Sequence, residues 1–128
     1  MRALLDTHAL LWFVLGEDRL SATATNWILD SATTKFVSPA SYWEIAIKIS
    51  LGKYVLAEPY VDFMRRAVEG NGFEILHIDF RHTAALIELP MHHRDPFDRL
   101  LVAQALVENI PLVSSDTSLG VYAISRLW

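Results

Sequence analysis

Along this chain two hydrophobic patterns take turns: short unbroken apolar runs, and longer segments whose apolar residues recur at helical spacing. Ala3-Leu4-Leu5 reads as a buried strand, followed by a helix from about Thr7 to Leu15. Ser21 to Ala32 carries the next helical pattern with Ser21 as N-cap, and Lys35-Phe36-Val37-Ser38 is a second short strand. Ser38-Pro39 has the form of a cap followed by proline at the first helical position, and that helix runs on to a stop at Gly52. Pro59 to Glu69 is amphipathic and closes at Gly70-Asn71-Gly72. Phe73 to Ile78 alternates as a strand, and Arg81 to Leu89 is helical up to Pro90. After the loop PMHHRDP, the segment DPFDRLLVAQALVENI is the clearest helix of all, with Asp95 as its cap and Pro96 as its first residue. Pro111 to Ser114 is a last strand, and Asp116 follows, at the head of a short helical segment TSLGVYA.

Strands separated by helices, with almost no hairpin signals, imply parallel pairing in a layered α/β fold. Ligands of such sheets collect beyond the carboxyl ends of the strands. That directs attention to the residues found there: Asp6, Ser38 and Asp116.

Composition narrows the class. The chain has 128 residues, 52% of them hydrophobic, and is read as one domain spanning residues 1–128 with a real core. A small domain this apolar leaves hydrophobic surface to be covered by a partner, so association is expected. The net charge of −4 and pI near 5.6 run against a protein that holds nucleic acid mainly by neutralising its backbone. There is no cysteine, which excludes disulfides and thiolate zinc sites and agrees with a cytoplasmic location. The apolar N-terminus resembles a signal peptide until Asp6 and His8 interrupt it, and no apolar run reaches the roughly 18 residues of a spanning helix. Neither export nor membrane insertion is expected.

Each acid near the expected site has a plain structural explanation when taken singly. Asp6 is placed to cap the helix that starts at Thr7. Glu44 stands four residues before Lys48, the favourable order for an ion pair along a helix, although its neighbours Tyr42, Trp43, Ile45 and Ile47 make the surroundings largely apolar. Asp95 and Asp98 occupy N-cap and N3, where the helix dipole favours acids. Asp116 is placed to cap the segment after it. Taken together they mean more. Asp6 and Asp116 end parallel strands, Glu44 and Asp98 lie near the starts of helices at the same edge, and all four carboxylates are expected in one crevice. Crowded carboxylates repel and raise one another's pKa, and a divalent cation relieves that. Oxygen-only ligation selects Mg²⁺ or Mn²⁺. Such centres hydrolyse phosphodiesters through metal-activated water.

With these residues in view, the chain closely resembles the PIN-domain ribonucleases, in particular the toxins of VapBC-type toxin–antitoxin pairs. The matching stretches are LLDTHALLW, SPASYWEIAIK, HRDPFDRLLVAQA and LVSSD, in the same order over essentially the whole chain. The resemblance implies a three-layer α/β/α sandwich around a parallel sheet of four to five strands. It also implies a Mg²⁺-dependent endoribonuclease, with Mn²⁺ able to substitute, that is neutralised by a cognate antitoxin. Carried over residue by residue, the acidic centre falls on Asp6, Glu44, Asp98 and Asp116. Asp6 and Asp98 are the principal metal ligands, while Glu44 and Asp116 bind a second ion or hold metal-bound water. Asp95 serves mainly as a cap, and Ser115 stands where the family places a residue that hydrogen-bonds the acids. The family further implies a homodimer, assembly of toxin with antitoxin, and DNA binding that belongs to the antitoxin rather than to this chain.

His92 and His93 look like metal ligands, but adjacent histidines in a charged loop usually diverge and are read as solvated; the alternative is that this loop, with Arg94, lies at the rim and touches RNA phosphate. His8 is read as packing against its neighbours. Trp12, Trp27 and Trp43 sit at helical spacing among Leu and Ile and are read as core or interface. Lys48, Arg94 and Arg99 are the candidate RNA contacts. Two other functions compete with this one. A haloacid-dehalogenase-like phosphatase wants a second Asp two residues after the first, where this chain has His8. A catalytically silent binding module on the same fold is at odds with four intact acids.

Overall fold

Strand β1 (Arg2–Leu5) is the axis of the molecule, because its side chains are buried on both faces. In the computed structural model, which describes residues 1–128, it is followed by α1 (Thr7–Leu15), α2 (Ala22–Leu29), β2 (Thr34–Val37), α3 (Pro39–Ser50) and α4 (Tyr60–Val68). Then come β3 (Glu74–Ile75), α5 (Phe80–Glu88), α6 (Pro96–Glu108), β4 (Leu112–Val113) and β5 (Arg126–Leu127), with single 3₁₀ segments at Glu69–Asn71 and Thr117–Val121. The five strands pair in the order β3-β2-β1-β4-β5, all parallel.

Alternation along β1 sends Ala3 and Leu5 to one face and Leu4 to the other. Ala3, Leu5, Val37 and Val113 pack under α1, α2 and α4 through Leu10, Ile28 and Phe63. Leu4 and Leu112 pack on the opposite side against Leu101 and Val102 of α6 and against Leu89. Helices therefore cover both faces, the layered α/β arrangement expected from strands that read as apolar runs.

The register brings three strand ends level: Leu5 pairs with Val37 on one side and with Val113 on the other. The amide of Asp6 still donates to the Val113 carbonyl at 3.1 Å. From β1 the chain builds outward to β2 and β3, and then returns to the other side of β1 for β4 and β5. The reversal falls between β1 and β4, the position where such sheets open a crevice.

Three expectations need adjustment. The helix expected to Ala32 ends at Leu29, because Asp30 turns extended and its carboxylate takes the Ala32 amide instead. The strand expected over Phe73–Ile78 pairs only at Glu74 and Ile75 as it runs out along the sheet edge. β5 was not foreseen: Arg126-Leu127 has no alternation to reveal it, and it becomes a strand only by pairing with β4. No helix is long and apolar enough to cross a membrane.

Candidate active site

Asp6 is the first residue beyond β1, and its side chain is 5% exposed. Its Oδ1 accepts the Ala9 amide at 2.7 Å, so it does cap α1. The cap leaves the rest of the carboxyl free for other partners. Burial pushes the Asp6 carboxyl above the ordinary carboxylate range and Glu44 adds to this, against the lowering effect of Ser114, the Ala9 amide and His8.

Glu44 is 4% exposed, in the second turn of α3. Both its oxygens are engaged. The Thr7 hydroxyl donates to Oε1 at 2.7 Å, and Lys48 meets Oε2 at 2.9 Å in the ion pair that the spacing foretold. Ser41 Oγ lies 3.1 Å from the Thr7 oxygen, so the two buried hydroxyls form a chain that ends on the carboxylate.

At the start of α6, Asp95 Oδ1 accepts the amides of Phe97 at 2.9 Å and Asp98 at 3.3 Å. With Asp95 so occupied, the Asp98 side chain is left to face the crevice. Its carboxyl is pushed up to about 7, first by burial and then by the charges of Asp95, Asp6 and Glu44, with His93 opposing. Asp98 therefore feels two of the other candidate acids, from β1 and α3. Asp116 accepts the Ser118 amide at 3.0 Å and its hydroxyl at 2.6 Å. Burial acts to raise its carboxyl, but these bonds and His93 outweigh it, so Asp116 is held below the ordinary range.

Ser114 is fully buried, accepts the Asp116 amide at 3.1 Å and acts to lower the Asp6 carboxyl, whereas the Ser115 side chain makes no hydrogen bond. Arg99 also differs from expectation. It is buried, and its guanidinium donates to the carbonyls of Pro90 at 2.9 Å and Leu89 at 3.3 Å. It braces the loop before α6. Arg94 is exposed, and Lys48 is committed to Glu44.

His93 is the residue that sequence reasoning discounted. Its Nε2 lies 3.2 Å from Oδ2 of Asp116 and 3.5 Å from Oδ2 of Asp98. One ligand atom from each of His93, Asp98 and Asp116 fits within 4.8 Å of the others. Its neighbour His92 behaves as expected, exposed and lying 5.5 Å from the Tyr122 ring. The signal for His93 was positional: two residues before the cap, its ring reaches back to the Asp95 amide.

The Asp98 and Asp116 carboxylates, with His93 beside them, come close enough to suit a divalent cation, and the Asp98 carboxyl is pushed up to about 7 chiefly by burial, with the neighbouring acids adding to it. A cavity of about 440 Å³ lies elsewhere, between α1 and the segment leading into α4, lined by Leu11, Trp12, Leu56 and Phe63. Glu17, Lys53, Glu58 and Arg66 also line it, and none of the candidate acids does.

A family model described as PIN domain matches residues 3–124. Among solved structures the chain is similar to VapBC2 from Rickettsia felis bound to a DNA fragment from their promoter, with TM-score 0.72, 16% identity, and 98% of this chain and 97% of that one covered. It is similar too to FitAcB from Neisseria gonorrhoeae, with TM-score 0.66, 15% identity and coverage of 97% and 95%. A third is VapBC-1 from nontypeable Haemophilus influenzae, with TM-score 0.65, 15% identity and coverage of 98% and 96%. No curated protein sequence matches the chain.

Proposed function

The chain belongs to the PIN-domain family, and from that premise we propose that it is a Mg²⁺- or Mn²⁺-dependent endoribonuclease, the toxin of a toxin–antitoxin pair. The observation that carries this reading is Asp98: a carboxyl pushed up to about 7 at the crevice, sensing Asp95, Asp6 and Glu44. Structural caps do not need three further acids around them. Sites that must hold a divalent cation against a phosphodiester do.

Asp6 and Asp98 would be the principal ligands, with Asp116 at the mouth and Glu44 held behind them by Thr7 and Lys48. A divalent cation in this place supplies a nucleophile from water and offsets the charge of the phosphate. The chain's own residues do the positioning. Ser114 holds the Asp116 amide, the Asp95 cap frees Asp98, and Arg99 braces the loop that carries Arg94 to the rim. Lys48 spends its charge on Glu44, which leaves Arg94 as the exposed cation of the site loop for RNA phosphate.

A protein partner is part of the proposal. The similar structures are named as VapBC2, FitAcB and VapBC-1, and the VapBC2 structure holds DNA. An acidic chain would leave DNA to its antitoxin. Phe80 is 92% exposed and Ile87 81%, so α5 carries apolar surface suited to a second copy or an antitoxin. The test is cleavage of RNA by the purified protein, dependent on Mg²⁺ or Mn²⁺, yielding 5′-phosphate ends and lost in Asp6→Asn and Asp98→Asn. Cleavage by both variants at the parent rate would show the centre to be elsewhere.

A further inference from the structure

His93 stands among carboxylates as a metal ligand would, yet its other nitrogen points to a different role. The Asp95 amide donates to Nδ1 at 3.2 Å, and a nitrogen that accepts an N–H has its lone pair committed. The proton of the neutral ring therefore sits on Nε2, the atom facing Asp116 at 3.2 Å and Asp98 at 3.5 Å. A histidine that ligates a metal shows the reverse arrangement, with its second ring nitrogen donating to a carbonyl or carboxylate.

His82 gives an internal comparison. Its Nδ1 accepts the Asp79 amide at 3.0 Å, and its Nε2 faces Glu108 at 3.2 Å. That ring is fully buried between α5 and α6 and simply joins them. His93 has the same arrangement, but its N–H is aimed at the crevice.

The ring is also firmly presented. The His93 amide donates to the Tyr122 hydroxyl at 2.9 Å, and that hydroxyl donates to the Pro90 carbonyl at 3.0 Å. Arg99 grips the same carbonyl at 2.9 Å. A loop fastened by two buried side chains holds the imidazole in one place.

We infer that His93 is a hydrogen-bond donor to the RNA phosphate and takes no part in binding the metal. This rests on the nuclease reading of the site. The Asp116 oxygen that now accepts from Nε2, and the Asp98 oxygen 3.5 Å from it, are those a divalent cation would take. Once they turn to the cation, the N–H is left facing the place where the phosphate oxygens are neutralised. No proton moves, and the neutral ring only exchanges one anionic acceptor for another. The phosphate oxygen then receives a donor held in position beforehand, which is how enzymes stabilise developing charge.

Two measurements test this, on the full chain and on His93→Ala, His93→Gln and His93→Asn, each first checked by thermal melting for an intact fold. In Mn²⁺ titration calorimetry, His93→Ala should bind as tightly as the parent or more tightly, because its carboxylates lose a competing donor. A tenfold or greater loss of affinity makes His93 a ligand and overturns the inference. In Mg²⁺-dependent cleavage of a short single-stranded RNA, His93→Ala should lose about 10²-fold in kcat with little change in KM. Gln or Asn, which keep a side-chain N–H, should recover part of that loss. An alanine variant as fast as the parent, or no recovery with either amide, overturns it. If the parent binds Mn²⁺ but cleaves no RNA, the nuclease reading has failed and the phosphate role falls with it. The Mn²⁺ comparison then still decides whether His93 is a ligand.

Discussion

The Thr7 hydroxyl lies 2.7 Å from Oε1 of Glu44, with both side chains buried, and ties the first turn of α1 to the second turn of α3. A buried carboxylate oxygen stripped of its donor costs about 1–3 kcal/mol. Thr7→Val should therefore lower stability by about that amount in urea unfolding, while Thr7→Ser, which keeps the hydroxyl, should lose far less. RNA cleavage should fall with Thr7→Val more than its stability loss explains, because Glu44 would then be free to shift. Equal cleavage by Val and Ser variants would detach Thr7 from the site.

Metal affinity should depend on pH through Asp98. Its carboxyl is pushed up to about 7, so below that pH a cation must displace a proton. Mn²⁺ affinity should rise between pH 6 and 8 and then level off. Calorimetry at pH 6.5 in buffers of different ionisation enthalpy should show protons released on binding, and Asp98→Asn should abolish that release. A parent protein that releases none places the raised carboxyl elsewhere.

The same group predicts an inverted stability profile for protein kept in EDTA. Folding raises the Asp98 pKa from 3.8 to about 7, so between those values the folded state holds the proton more tightly than the unfolded state. Stability from this group is complete below about pH 4 and is lost as pH rises through 7. Asp98→Asn removes the penalty at high pH and gives up a charge favoured at the helix N-terminus. Because the side chain is partly solvated, the net gain at pH 8 should be on the order of 1 kcal/mol and should vanish near pH 4. Urea melts of both proteins at the two pH values measure it.

The fold was legible wherever burial and helical spacing agreed. Ala3-Leu4-Leu5 and the α6 segment could hardly be read otherwise, and caps at Ser21, Ser38 and Asp95 marked their helices correctly. β5 was not legible, because two residues carry no period and their strand character comes wholly from β4. In the site, the candidate acids could be named from their places at strand and helix ends. What spacing could not supply was which atom of each group is already taken. Ser114 and Ser115 are equivalent in sequence, and only the turn into Asp116 decides that Ser114 faces inward. Arg99 looked like a free cation beside Asp98, yet on a helix neighbouring residues point about 100° apart, and Arg99 faces the loop and the interior. His93 was discounted along with His92, although the Asp95 amide, invisible in sequence, selects one of the pair.

Arg99 and Arg94 lie five residues apart and should fail in opposite ways. Arg99 holds the Leu89 and Pro90 carbonyls from a buried position, so Arg99→Met takes the donor from Leu89, leaves Pro90 to Tyr122 and the His92 amide, and loosens the loop that carries His93. The expected cost is about 2–4 kcal/mol in urea unfolding. Cleavage should fall through kcat, while the salt dependence of RNA binding stays as in the parent. Arg94 is exposed, and Arg94→Ala should leave stability within about 0.5 kcal/mol. RNA binding, measured by anisotropy with Asp6→Asn as the cleavage-dead background, should weaken, and its slope against log salt should drop by about one phosphate contact. If Arg99→Met rather than Arg94→Ala changes that slope, the guanidinium of Arg99 reaches RNA after all, and the loop must open when substrate binds.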